Sequence, residues 1–266
     1  MSQITILFLY LVAALAFALS RFPQYSERAP TLVLVAFFCC ITGVVIHGQM
    51  LYAALIPGGI GLTLATAASL IGLQLALIGL LGAVESTLRG LSAGLLLLAA
   101  LTSLGGGQTI DAAAVDLSWQ LRAHVMTSMF AYGLLTVGAI VAIYALVQDR
   151  RLSSGRLSSI NHLFAPLETT EKMLYAVTAT GFTVLALSVV SGITFIEDLF
   201  AQHLVHKTGL SIMALVLFGI LLLGRHFAGW RGRRAVYLYL ASFVVLSLAY
   251  FGSRYILEEI LGRSWG

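Results

Sequence analysis

Eight long apolar runs, parted by short polar stretches, constrain this chain more than any other feature. They lie at about 4–20, 31–52, 60–83, 89–105, 119–147, 172–196, 207–224 and 235–257. A helix needs roughly 20 apolar residues to cross a bilayer, and backbone in lipid must satisfy its own hydrogen bonds. The pattern therefore predicts an all-α, polytopic transmembrane helix bundle of about eight helices, one domain over residues 1–266. A soluble reading fails on composition: 59% of residues are hydrophobic and 10% charged, with mean hydropathy +0.98, whereas soluble domains carry about 25% charged residues. Pro23, Pro30, Pro57 and Pro166 are all assigned to loops between the runs, where helix-breaking residues belong. The least distinct boundary is Glu85-Ser-Thr-Leu-Arg89, between the third and fourth runs. A Gly-rich loop from Gly105 and a linker from Gln148 to Glu171 are the longest polar pieces. The first run lacks a basic leader, so it is expected to stay as a helix rather than be cleaved.

The charges set an expected orientation. Loops 21–30, 84–89, 148–172 and 225–234 hold eleven of the fifteen Lys and Arg residues. By the positive-inside rule these loops are cytoplasmic and both termini lie outside, consistent with an even number of spans. The net charge of +4 then reflects topology, and no nucleic-acid partner is implied.

Ionisable groups inside a bilayer are costly and mark function by default. Arg122-Ala-His124-Val-Met126-Thr-Ser128-Met129-Phe-Ala-Tyr132 opens the fifth run, and His124, Ser128 and Tyr132 share one helical face. His47 lies about five residues from the outer end of the second run, roughly 7 Å deep. His206 opens the seventh run, just after His203 in the loop. Three helices thus bring a histidine to one outer level, while His226 and His162 lie at the cytoplasmic side. Arg122, Lys207 and Arg254 are exceptions to the positive-inside pattern and sit near that outer level. Imidazoles with cations above them are what a b-type haem needs, nitrogen for the iron and positive charge for the propionates.

Plainer readings compete with each feature. A membrane histidine can simply hydrogen-bond across helices, Arg122 and Lys207 can be snorkelling anchors, and small Gly and Ser residues permit close packing. Cys39 and Cys40 are adjacent and read as packing residues. The Arg231-Gly-Arg233-Arg234 cluster is first a topology signal. No G-x-S-x-G element or acidic partner at depth supports hydrolase chemistry. No internal repeat and no mid-span carboxylate supports a transporter.

From His124 onward the sequence resembles the transmembrane cytochrome c assembly family, the haem-handling group with CcsA-, CcmC- and HemX-type members, and most of all its short YpjD-type inner-membrane proteins. Four segments carry the resemblance: His124-Val-Met-Thr-Ser-Met-Phe-Ala-Tyr132; Pro166-Leu-Glu168 through Glu171-Lys-Met-Leu-Tyr175 and Thr180-Gly-Phe182; Gly229-Trp-Arg-Gly-Arg-Arg-Ala235; and Leu248-Ala-Tyr-Phe-Gly-Ser-Arg254. The resemblance implies that His124 is an external haem ligand and that His226 occupies a membrane haem-ligand position of the CcsA type. Two features of the family are missing. The external stretch from Glu197 to Lys207 has no tryptophan, and no histidine follows Arg254. These departures bear on delivery of haem to an apocytochrome and leave haem binding open, with His47 or His206 as the replacement for the missing ligand.

The resulting expectation is a multi-pass bacterial inner-membrane protein that binds haem b near its outer face. His124 and His47 form the expected axial pair, with His206 third, and Arg122, Lys207 and Arg254 are the propionate partners. It would hold or relay haem or electrons rather than catalyse a group transfer, with membrane lipid and other haem-handling or redox membrane proteins as partners. The rival is a haem-free accessory protein that scaffolds another membrane complex.

Overall fold

The computed structural model describes residues 2–55, 64–105, 118–154, 159–195 and 205–252. It is all-α. The helices are α1 (Ser2–Leu19), α2 (Ala29–Leu55), α3 (Leu64–Gly82), α4 (Arg89–Thr102), α5 (Trp119–Ser153), α6 (Leu167–Phe195), α7 (Val205–Ala228) and α8 (Arg233–Ser247). With their flanking turns, eight segments among the described residues are long and apolar enough to cross a membrane. Large side chains such as Phe8, Leu34, Phe38, Leu187, Val190 and Leu223 are exposed on them, as a hydrocarbon solvent permits.

Each apolar run became one helix, and the ends show why. The thin boundary between α3 and α4 is a single 3-10 turn, Ser86–Leu88, capped by the Glu85 carboxylate, which accepts from Thr87 N at 3.5 Å and Thr87 Oγ1 at 3.4 Å. Pro30 departs from its loop assignment and lies in the first turn of α2, where the missing N–H has no intrahelical acceptor anyway. Pro57 lies outside the described residues. The expected linker from Gln148 is largely ordered: α5 runs on through Ser153, and α6 starts at Leu167.

The chain divides into two compact units, residues 1–117 with 144–172, and residues 118–143 with 173–266. In the first, α1 packs against α2 and α4, and α3 against α4 and α2. Ile6, Tyr10, Phe17, Cys40, Leu75, Leu95 and Leu96 fill its core. The segment before α6 is pinned in this unit: Tyr144 Oη donates to Leu163 O (2.6 Å) and accepts from Ala165 N (2.9 Å), and Gln148 Nε2 donates to Ala165 O (2.6 Å). In the second unit α7 packs on α8, and Met129, Tyr132, Leu135, Phe218, Tyr239 and Leu246 are buried. Tyr239 Oη donates to Leu135 O at 2.7 Å, tying α8 to α5.

Candidate functional site

His124 sits in the second turn of α5, half-buried. Its Nδ1 lies 2.9 Å from Ser191 Oγ on α6, and that hydroxyl donates to Ser188 O at 2.8 Å. The Ser188 carbonyl is also a partner of the His124 ring. A serine hydroxyl has one proton: when it goes to that carbonyl, Ser191 accepts from the imidazole, Nδ1 carries the hydrogen and Nε2 is the bare lone pair. This is the state in which a histidine ligates a metal, with its other nitrogen oriented by a neighbour.

The rest of the polar stripe also finds its partners. Ser128 Oγ donates to His124 O at 2.7 Å and lies 2.6 Å from Ser188 Oγ. Tyr132 Oη donates to the Leu246 carbonyl of α8. The stripe faces α6 and α8. Gly192 lets α6 come this close, because a Cβ there would stand 3.0 Å from His124 Cε1.

Lys207, on the first turns of α7, lies within electrostatic reach of His124, and its ammonium is 5.4 Å from the Tyr250 ring centre. Tyr250 belongs to an aromatic cluster with Tyr132 (5.7 Å) and Phe251 (5.1 Å). A turn of π-helix over Leu248–Gly252 carries both Tyr250 and Phe251, and such turns widen a helix most often at functional positions.

His47 is different. It is fully buried in the first unit, with Nδ1 3.2 Å from Tyr10 Oη and Nε2 2.8 Å from Ser69 Oγ. Whichever way the protons run, both ring nitrogens are engaged. The expected axial pair thus falls in two units; both ring nitrogens of His47 have side-chain partners, whereas His124 has one at Nδ1.

His206 opens α7, but its side chain lies outside the described residues, as do His203 and Arg254 altogether. Arg122 is exposed on the first turn of α5. His226 is exposed in the last turn of α7, edge-on to Phe227 at 4.8 Å. Among the described residues no three His, Cys, Asp or Glu side chains gather as a bare-metal site; a haem iron asks the protein only for axial ligands. Sequence reasoning missed Ser188, Ser191 and Gly192 as partners of His124, and Tyr10 and Ser69 as partners of His47. The only signal was the Ser188-x-x-Ser191-Gly192 spacing, which sets both hydroxyls on one face of α6.

The family model described as "Cytochrome C assembly protein" matches residues 5–261. The inner membrane protein YpjD of Escherichia coli K12 is 34% identical over 137 residues, 52% of each chain. An uncharacterized 28.8 kDa protein of Azospirillum brasilense is 31% identical over 141 residues, again 52% of each. The cytochrome c biogenesis protein CcsA of Guillardia theta is 22% identical over 169 residues, 57% of this chain and 56% of that one. The aligned part spans about half the length of these curated relatives. No solved structure matches. With nearly its whole length covered by one family model, the chain belongs to the cytochrome c assembly protein family.

Proposed function

We propose that this is a haem-b-binding protein of the bacterial inner membrane, holding or relaying haem or electrons near the periplasmic face. His124 supplies an axial ligand through Nε2. The observation that carries this reading is the 2.9 Å contact of His124 Nδ1 with Ser191 Oγ, which restrains the ring and suits Nε2 as the ligating acceptor. Lys207 and Arg122 stand as propionate partners on the same unit, with Arg254 as the third. Bound haem would supply a redox-active iron; the chain's own part is to orient the imidazole and place positive charge. His206 is the candidate for the second axial position within this unit. His47 would first have to give up Ser69 or Tyr10, so its hydrogen bonds favour a structural role. The family name and the name of the Escherichia coli relative support the location and the link to haem handling.

The test is a visible spectrum of the detergent-purified protein, expressed with added haem precursor, oxidised and then dithionite-reduced. A Soret band that sharpens on reduction, with α and β bands, is expected, and His124→Ala should remove it. Absence of haem from the wild type, or full retention in His124→Ala, refutes the assignment and favours the haem-free scaffold.

A further inference from the structure

The end of α7, the turn after it and the start of α8 carry Arg225, Arg231, Arg233 and Arg234 within ten residues. Their number alone would only set topology, a task that lysine performs equally well. Their geometry asks for more. The Arg225 guanidinium carbon lies 4.2 Å over the Tyr175 ring, and that of Arg234 lies 4.2 Å over the Trp230 ring. The Trp230 carbonyl accepts from Tyr175 Oη at 2.7 Å and from Arg225 Nη1 at 3.5 Å. Gly229 and Gly232, both at φ 62°, set the path of the turn, and Trp230 N donates back to Gly224 O at 3.1 Å. Two guanidinium groups are thus placed over aromatic rings before any ligand arrives, and a guanidinium so placed favours bidentate contact with phosphate oxygens.

Position is the second observation. A turn between two spans lies at a membrane surface, and here Phe227 is 79% and Tyr237 51% exposed, side chains suited to the boundary between headgroups and acyl chains.

We propose that the α7–α8 turn is a binding site for the phosphodiester headgroup of an acidic glycerophospholipid, recognised by Arg225, Arg231 and Arg234 on a Tyr175–Trp230 platform. A soluble anion lacks the acyl chains that Phe227 and Tyr237 would meet, and so the lipid is the better occupant.

The test uses Trp230 as reporter. Of the three tryptophans, Trp119 and Trp265 are replaced by Phe in the full chain, which is reconstituted in phosphatidylcholine vesicles. Phosphatidylglycerol brominated in its acyl chains is added as a minor component, with brominated phosphatidylcholine as control. The acidic lipid should quench Trp230 several-fold more than the control. Because one basic residue near an anionic surface contributes about fivefold in partition, Arg231→Gln and Arg234→Gln should each lower the excess by about that factor. Arg231 is exposed and the fold does not depend on it, so a failure of Arg234→Gln to fold still leaves a decisive variant. Equal quenching by the two lipids overturns the proposal. So does an excess that survives Arg231→Gln with Arg234→Gln, or one abolished by inorganic phosphate at fixed ionic strength, which would assign the arginines to a soluble anion.

Discussion

Replacing Ser191 by alanine separates orientation of His124 from ligation by it. The substitution removes the acceptor 2.9 Å from Nδ1 and leaves His124 itself in place. The ring then loses both its rotational restraint and its fixed tautomer, and Nε2 is bare for only part of the time. Loss of such an orienting partner costs about 10- to 100-fold in affinity for a metal ligated by the histidine, equivalent to about 1.4–2.8 kcal/mol. The fold should lose much less. Interhelical hydrogen bonds in a membrane are worth about 0.6 kcal/mol on average, and Ser188 still bonds Ser128 at 2.6 Å. Haem affinity should therefore fall well beyond any change in thermal stability.

The assay is a haem titration followed at the Soret band, with melting of the same samples in detergent. Ser191→Thr, which keeps the hydroxyl, should recover most of the affinity. The reasoning is refuted if Ser191→Ala binds haem as the wild type does while His124→Ala does not bind. It is also refuted if the loss of affinity merely tracks a loss of stability.

Three further perturbations follow from the same geometry. Gly192→Val puts branched carbon where a single added Cβ would already stand 3.0 Å from His124 Cε1, so haem binding should drop with helix content unchanged by circular dichroism; unchanged affinity would mean that α6 yields freely. His47→Ala leaves two hydroxyls in the first unit unpaired, at about 1–3 kcal/mol each, so the melting temperature should fall clearly while Tyr10→Phe costs only about 0.6–1.7 kcal/mol; loss of haem without loss of stability would instead return His47 to the iron. Gly232→Ala forces φ 62°, ψ −144° on a residue with a Cβ, at about 1–3 kcal/mol, and denaturation should register it; Gly209→Ala, where a Cβ meets nothing within 4 Å, is the control.

The helices were legible because a bilayer leaves little choice: the apolar runs are bounded near Arg89, Arg150 and Arg225, whose burial would cost too much. Their register was legible too, since His124, Ser128 and Tyr132 do share a face. What that face meets was not. Ser191 is 67 residues from His124, and Tyr10 is 37 from His47; no local pattern joins them, and serine is common in membrane helices as a packing residue. Pro30 was misplaced for a related reason. Proline breaks the interior of a helix but suits its first turn, and the distinction rests on where Ala29 begins the helix rather than on the proline.

Depth and composition made His47 and His124 equivalent, and the protons make them different. An imidazole has one donor and one acceptor when neutral, and a ligand to iron must offer an acceptor that nothing else has taken. At His47 a phenol and a hydroxyl close both ends, which holds α1, α2 and α3 together through a single fully buried ring. At His124 the Ser191 hydroxyl holds Nδ1, and in the tautomer in which Nδ1 donates to it, Nε2 is the acceptor that a metal would take. Under the proposed haem-binding reading, the charge of Lys207 near the ring would then serve a propionate.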